Sequence, residues 1–157
     1  MRLSYGTYAA IHVEGVMAVR RAFTAIELTI VVCVLAVLSA IAMPAAATLL
    51  DKIRVRAAVT EIESLFGAAR HAAIARAMLA SVEIDTASRT ISITIGGDTL
   101  RKADVGAEHG IRLAANRAGM SYSPTGVGYG AANLSVFVRK SSVVDTIVVS
   151  RLGRVRH

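Results

Sequence analysis

A long apolar segment without charge constrains this chain more than any other feature. Leu28–Leu50 comprises 23 consecutive residues without a charged side chain, and about 20 apolar residues suffice to cross the hydrocarbon of a bilayer. Glu27 stands directly before the segment. An ionised side chain within a membrane costs about 2.5–3.5 kcal/mol on insertion scales, so such residues usually have a function and a partner. We therefore expect a membrane helix and an electrostatic partner for Glu27.

The residues around Glu27 carry a family resemblance. Residues 20–32 read Arg-Arg-Ala-Phe-Thr-Ala-Ile-Glu-Leu-Thr-Ile-Val-Val, which resembles the leader and N-terminal helix of type IV pilins and type II secretion pseudopilins. The resemblance implies that a prepilin peptidase cuts between Ala22 and Phe23 and methylates the new amine. Pro44 matches the proline that the family tends to carry late in the apolar run. Ala22 departs from the family pattern, in which glycine usually precedes the cut.

The cut would supply both halves of an intersubunit ion pair. Helices packed side by side in a filament can place one subunit's new amine against a neighbour's Glu27. Removing one partner of a buried ion pair often costs about 3–5 kcal/mol, so both groups would matter for assembly. The alternative is that Glu27 lies in water at the cytoplasmic interface.

Residues 1–22 are predicted to be a prepilin-type leader that is absent from the mature protein. Met17 begins a short basic stretch, so the start of the chain is either Met1 or Met17. Basic residues stand on both sides of the apolar run, and the positive-inside count is therefore ambiguous. The resemblance implies a single-pass protein of the bacterial inner membrane with its C-terminal domain in the periplasm.

A conventional secretory signal is the competing interpretation. Ala45, Ala46 and Ala47 form a small-residue cleavage site, and the product would be a soluble secreted domain starting at Thr48. However, the apolar run exceeds the apolar core of roughly 7–15 residues in such signals. The helical pattern also continues across the supposed cut.

The second helical segment has one apolar stripe. Its apolar residues recur at steps of three and four, which is the spacing of a single helix face. We predict one helix from about Thr24 to Leu79, with residues 23–50 as its transmembrane or filament-core half and residues 51–80 as its amphipathic half. Pro44 should kink this helix or melt it locally. The stripe residues are Val55, Val59, Ile62, Phe66, Ala69 and Ala73.

After Leu79 the apolar pattern changes to a period of two, which indicates β-strands. Short strands with tight turns predict an antiparallel sheet in residues 81–157. The fold class is thus α+β and pilin-like, with a long N-terminal helix packed on a C-terminal antiparallel β-domain. The predicted strands are Ser81–Asp85, Thr90–Ile95, Thr99–Lys102, Gly110–Ala114, Gly119–Ser123, Leu134–Arg139 and Asp145–Ser150, with a short end at Val155.

Three stretches narrow the resemblance to the H-type pseudopilin (GspH)/FimT group of minor subunits: Leu49–Arg76, Met120–Gly126 and Ile147–Arg156. The group implies an H-type minor pseudopilin of a type II secretion system, assembled with other pseudopilins into a periplasmic pseudopilus. The alternative within the group is a FimT-like minor type IV pilin that serves pilus assembly or DNA uptake. Partners would be other subunits, the prepilin peptidase and the inner membrane, with DNA or the secreted substrate as further candidates.

Positive charge is concentrated after the apolar run. Residues 51–157 hold 15 Lys and Arg against nine Asp and Glu, a net charge of +6. A basic surface favours anionic partners such as nucleic acid or membrane headgroups, although it can equally be a solvated face. The candidate DNA-binding residues at the C-terminal end are Arg139, Lys140, Arg151, Arg154 and Arg156.

Gly153-Arg154-Val155-Arg156 is the most specific part of this set. Alternation in an extended segment places Arg154 and Arg156 on one face, about 6–7 Å apart. That spacing resembles the spacing of adjacent phosphates on one strand, and arginine suits phosphate. In FimT-like minor pilins a C-terminal Gly-Arg-x-Arg is associated with DNA binding, which the resemblance extends to this tail. The alternative is a structural tail.

No pattern in the sequence indicates catalysis, a cofactor or a metal site. His71, His109 and His157 are far apart in sequence, and none has metal-ligand spacing with Cys, Asp or Glu. The glycine-rich residues 126–130 lack the Lys-Ser/Thr of a phosphate loop and read as a turn. Cys33 is the single cysteine, so no disulfide can form within one subunit. We therefore predict a protein that is not an enzyme.

Overall fold

A computed structural model describes residues 23–129 and 133–157. The chain divides into two compact units, residues 1–39 and residues 40–157. In the first unit the described residues are helical from Ala25 onward. The second unit contains the remainder of that helix and the strands. This helix, α1, spans Ala25–Arg76 and has 52 residues.

The second half of α1 buries the stripe that the sequence predicts. All six stripe residues are buried, and Ala58 and Leu65 are buried beside them. The stripe belongs to one hydrophobic core that also contains residues from both sheets of the β-domain. The prediction of a long helix packed on a β-domain is therefore confirmed.

Helix α1 ends at Arg76, before the predicted end, because the backbone turns left-handed there. Ala77 has φ +49°, and its N–H donates to the carbonyl of Ile74 at 3.3 Å. The N–H of Met78 donates to the carbonyl of Ala73 at 3.2 Å. These two bonds are those of a Schellman motif, here with alanine at the position that glycine usually occupies.

The β-domain has two antiparallel sheets, where the sequence predicted one. The elements after α1 are β1 (Ala80–Asp85), β2 (Thr90–Ile95), β3 (Asp98–Ala103), α2 (Val105–His109), β4 (Arg112–Ala115), β5 (Gly119–Tyr122), β6 (Gly128–Tyr129), β7 (Leu134–Lys140), β8 (Val143–Val149) and β9 (Val155–Arg156). The first sheet has the order β3-β2-β1-β5-β6, and the second has the order β4-β7-β8-β9.

The predicted hairpin of β1 and β2 is confirmed, and its turn is built on Asp85. The Asp85 carboxylate accepts hydrogen bonds from the N–H groups of Ala87 at 2.9 Å and Ser88 at 3.1 Å. It also accepts from the Ser88 hydroxyl at 2.7 Å. These bonds, the Ser88 hydroxyl foremost, lower the pKa of Asp85. The pairing brings Ile84 opposite Ile91 and Val82 opposite Ile93, all of them buried.

Two predictions in the β-domain are wrong in detail. Gly110 does not begin a strand, since it caps the short helix α2 in the left-handed conformation with φ +61°, and β4 begins at Arg112. Asp104 caps the other end by accepting from the N–H of Ala107 at 2.9 Å. The glycine-rich segment turns at Gly126, as predicted, but it then forms strand β6 beside β5.

Candidate functional site

Helix α1 begins with a capping box formed by Thr24 and Glu27. The Glu27 carboxylate oxygen Oε2 accepts from the Thr24 backbone N–H and from its hydroxyl, both at 2.9 Å. In return the Thr24 hydroxyl oxygen accepts from the Glu27 N–H at 3.2 Å. Such reciprocal bonds satisfy amide donors that the first turn of a helix leaves unpaired. The cap explains why the helix starts at Ala25.

The capping box leaves the Glu27 side chain at the surface. Both hydrogen bonds reach the same carboxylate oxygen, and Glu27 is exposed. Phe23 stands just outside the cap and is 83 % exposed. Ala22 and the rest of residues 1–22 lie outside the described residues, so the cut between Ala22 and Phe23 stays a prediction.

The apolar run that follows is uncovered along its whole length. Every residue from 23 to 50 is exposed, and the least exposed large apolar side chain among them, Val31, is still 49 % exposed. Helix α1 is long and apolar enough to cross a membrane. An apolar surface of this extent requires lipid or protein to cover it.

Pro44 lies inside α1 without interrupting it. The helix is continuous from Ala25 to Arg76, so the backbone does not melt at Pro44, and the alternative, a kink there, stays a prediction. Proline has no N–H, which leaves the carbonyl of Ala40 without its usual helical donor. The Thr48 hydroxyl donates to the carbonyl of Pro44 at 3.0 Å, and such side-chain bonds to the carbonyl four residues earlier often bend a helix.

The C-terminal tail is held by a tight turn built on Ser150. The Ser150 N–H donates to the carbonyl of Arg154 at 2.8 Å, and the Gly153 N–H donates to the carbonyl of Ser150 at 2.9 Å. The Ser150 hydroxyl accepts from the Arg154 N–H at 3.2 Å. Strand β9 then pairs with β8. Val155 is half-buried, whereas Arg154 and Arg156 on either side of it are exposed.

Gly153 fits this turn because a larger residue would clash with Tyr122. Gly153 is buried with φ +74°, and a Cβ there would lie 2.8 Å from Cε1 of Tyr122 and 3.0 Å from the carbonyl oxygen of Gly126. The Tyr122 hydroxyl is buried without a hydrogen-bond partner among the described residues. Burial raises the pKa of Tyr122 to about 12, against the opposing effect of the Arg70 charge.

The five predicted DNA-binding residues fall into two clusters along β8. Arg151, Arg154 and Arg156 form the tail cluster. Arg139 and Lys140 stand at the end of β7, where it turns into β8. With Arg112, which lies opposite Arg139 in the pairing of β4 with β7, they form the hairpin cluster, named after the β7–β8 hairpin.

The two clusters lie at opposite ends of β8. Arg139 pairs with Val144 and Arg156 pairs with Val148, which are about 13 Å apart at the rise of a strand. Sequence reasoning missed Arg112 because only strand pairing brings it beside Arg139.

Two histidines, His109 and His157, have partners that are distant in sequence. His109 Nε2 lies 2.7 Å from a carboxylate oxygen of Glu61, and His157 Nδ1 lies 2.8 Å from one of Glu63. Glu108 joins Glu61 and His109, with potential ligand atoms within 4.8 Å of one another. Spacing along the chain could not reveal this group, since residues 61 and 109 belong to different helices. The group already contains a direct Glu61–His109 contact, and we assign no metal to it.

Comparison with known proteins gives matches at the level of structure alone. Neither a protein-family profile nor a curated protein matches the sequence. The chain is similar to the type IV minor pilin FimU of Pseudomonas aeruginosa PAO1 in space group P21, with 16% identity and a TM-score of 0.57 over 68% of this chain and 89% of FimU. FimU in space group P65 gives 16% identity and a TM-score of 0.53 over 64% and 90%. The GspH/FimT resemblance is compatible with these matches, and the chain has a type IV pilin-like fold.

Proposed function

We propose that this chain is a minor pilin-like subunit of an inner-membrane filament machine, and specifically the H-type minor pseudopilin of a type II secretion system. In this role it is cut after Ala22, methylated at Phe23, held in the membrane and then assembled into a periplasmic pseudopilus. Its work is recognition and assembly. The chemistry of processing is performed on it by the prepilin peptidase.

The observation that carries this proposal is the continuity of α1. A capped start at Thr24, an uncovered apolar half and a half with a buried stripe are parts of one helix. Cleavage of a conventional signal before Thr48 would cut α1 in its interior. Continuity therefore favours an anchor that stays attached over a signal that is removed.

The capping box suggests how Glu27 acts in assembly. Its hydrogen bonds with Thr24 fix the carboxylate at the head of the helix, one turn from the amine that a cut before Phe23 would create. A neighbouring subunit's amine can then meet an oriented carboxylate. Among apolar helices such an ion pair is strongly favoured over either charge left alone.

Mass spectrometry of the mature N-terminus tests the proposal. We expect N-methyl-Phe23. A mature protein that starts at Thr48 would instead show a soluble secreted domain and would overturn the proposal.

Assembly of the Glu27→Gln variant tests the role of the charge. Glutamine at this position preserves a capping box but removes the carboxylate charge, so we expect incorporation into filaments to fall at least tenfold. Thr24→Ala weakens the cap and keeps the charge, which makes it the matched control. Normal incorporation of Glu27→Gln would contradict the proposed ion pair.

A FimT-like minor type IV pilin is the second candidate function. The exposed Arg154 and Arg156 favour it, because exposed arginines on an extended segment suit phosphates. The likeness to a type IV minor pilin adds support at the level of fold.

Two experiments separate the candidates. Deleting the gene should impair protein secretion if the chain is a pseudopilin, and pilus assembly or DNA uptake if it is a minor pilin. DNA retardation by the purified protein should weaken steeply with salt and should be lost in the Arg154→Ala/Arg156→Ala variant. Unchanged retardation by that variant would exclude DNA binding by the tail cluster.

A further inference from the structure

The hairpin cluster is a concentration of positive charge with no acidic residue in its cavity. Arg112 and Arg139 are exposed, and Lys140 is half-buried. With Gly110 and Ser141 they line a cavity of about 460 Å³. The cavity beside the tail cluster differs, since Glu63 is among its lining residues. The lining of the hairpin cavity therefore carries no carboxylate of its own, and Asp51 touches it through the Ser141 hydroxyl.

Arg112 and Arg139 face each other without a carboxylate between them. They are direct partners in the pairing of β4 with β7, and like charges at directly opposite positions destabilise a sheet. The ion pairs found in residues 23–129 and 133–157 involve His109 and His157, so neither arginine is paired with an acid there. An anion bound between the two arginines would remove the repulsion.

Hydrogen bonds to backbone carbonyls hold Lys140 and Arg139 in place. Lys140 Nζ donates to the carbonyl of Gly110 at 2.8 Å and to that of His109 at 3.3 Å. Arg139 Nε donates to the carbonyl of Ser141 at 3.3 Å. These bonds leave the terminal nitrogens of the Arg139 guanidinium for a ligand. Two guanidinium groups with free N–H donors match the geometry of phosphate.

One contact ties the cluster to the end of the apolar run. The Ser141 hydroxyl donates to the Asp51 carboxylate at 2.7 Å, and Asp51 is the first charged residue after Leu28–Leu50. At about 1.5 Å per residue the run is about 34 Å long, slightly more than the hydrocarbon thickness of about 30 Å. The headgroup layer adds about 5–7 Å on each side. If the run spans the membrane, Ser141 and Arg139 therefore lie at the level of the headgroups.

We propose that the hairpin cluster binds the phosphate groups of anionic phospholipids on the periplasmic surface of the membrane. This inference rests on the proposed function, because it requires the apolar run to be a membrane anchor. Lys52, Arg54 and Arg56 are exposed on α1 just beyond the run and add to the attraction. The contact would orient the β-domain on the membrane before assembly, and extraction into a filament would break it.

The full chain in lipid nanodiscs provides the test. A fluorophore is attached to Ser142→Cys in a Cys33→Ser background, since Ser142 is exposed beside the cluster. Quenching by a nitroxide on the lipid headgroups then reports the distance of the hairpin from the membrane. We expect stronger quenching when anionic lipid is added to zwitterionic lipid. Arg112→Gln/Arg139→Gln should reduce the anionic-lipid quenching about twofold or more, and high salt should do the same.

Arg154→Gln/Arg156→Gln is the matched control, because it removes the same charge at the far end of β8. It should leave the quenching unchanged. The inference is wrong if added anionic lipid leaves the quenching unchanged, or if the two double variants change the quenching by the same amount. It is also wrong if inorganic phosphate binds the cluster while anionic lipid leaves the quenching unchanged, which would indicate a site for free phosphate. Tight oligonucleotide binding that depends on Arg112 and Arg139, with no lipid effect, would indicate a nucleic-acid site instead.

Labelling of the native Cys33 separates this inference from the proposed function. Cys33 lies within the apolar run, so an aqueous maleimide should not reach it when the run spans the nanodisc. Reactive Cys33 would contradict the anchor itself. Protected Cys33 together with quenching that is insensitive to lipid charge would overturn the headgroup site alone.

Discussion

The two halves of α1 have the same secondary structure and opposite surroundings. From Ala25 to Leu50 every residue is exposed, whereas the half from Asp51 to Arg76 buries eight residues against the β-domain. The first half is almost uniformly apolar, and the second half alternates apolar and charged faces. A helix that is apolar all round is typical of a membrane or a protein core, and a striped helix is typical of the boundary between a core and water.

The difference teaches that one helix can be stabilised by two kinds of partner. The second half is held by residues of its own chain, in a single core with both sheets. The first half has no such cover in the described structure, so lipid or another protein must supply it. Substitutions in the two halves should accordingly affect different measurements.

The largest expected effect is on folding and comes from the second half. Phe66 is fully buried, and Phe66→Ala should lower the free energy of unfolding by about 3–5 kcal/mol, because it removes a large apolar side chain and leaves a cavity. Urea unfolding of the full chain in detergent, followed by circular dichroism, measures this. Leu38→Ala, at a side chain that is 58 % exposed, should change the same transition by less than about 0.5 kcal/mol. Equal losses of stability in Phe66→Ala and Leu38→Ala would contradict the proposed difference between the two halves of α1.

The second expected effect is a fall in the free energy of unfolding at high pH, and it comes from the buried Tyr122. Tyr122 has a pKa of about 12 in the folded protein and about 10 when unfolded. Below pH 10 both states carry the neutral phenol, and above it the unfolded state ionises first. The free energy of unfolding should therefore fall by roughly 2–3 kcal/mol between pH 10 and 12.

Urea unfolding at several pH values, with Tyr122→Phe for comparison, isolates this contribution. The variant should lack it and should lose no stability at neutral pH, since the hydroxyl it removes has no partner in the described structure. Tyr129→Phe, at an exposed tyrosine, should keep the pH dependence of the parent. Identical pH profiles for Tyr122→Phe and the parent would show that this phenol is not responsible.

The smallest effect is at the start of the first half. Thr24→Ala removes the N-cap hydroxyl and should weaken the first turn of α1 by about 1 kcal/mol. Hydrogen exchange at the amides of Glu27 and Leu28, which donate to Thr24, should accelerate in detergent about fivefold, which corresponds to that energy. Urea unfolding of the β-domain should not change. A shifted urea transition would mean that the two halves are more strongly coupled than their surroundings suggest.

Local chemistry explains which features could be predicted. Alternation identified β1 and β2, and the turn residues after Asp85 fixed their hairpin. The spacing of the stripe identified the face of α1 that meets the core. Helix α2 was missed because five residues are too few to show a helical period, and its caps, Asp104 and Gly110, resemble ordinary turn residues.

The candidate sites also differ in how far the sequence could predict them. The residues of the capping box lie three positions apart in sequence, so Glu27 could be singled out as a charge at the head of a helix. The tail and hairpin clusters could not be distinguished, because their separation depends on the pairing of β7, β8 and β9. Likewise, the pairing of Glu61 with His109 depends on how α2 packs.

The amino-acid sequence by itself determined the length of the apolar run, the charge before it, the stripe on α1 and the positions of most strands. These properties depend on the order and period of neighbouring side chains, which the chain carries with it. Only the tertiary structure decided that the strands form two sheets, that Arg112 joins Arg139, and that Ser141 meets Asp51 at the end of the apolar run. Such contacts join residues far apart in the chain, and their partners are selected by strand register and core packing, which no local pattern specifies.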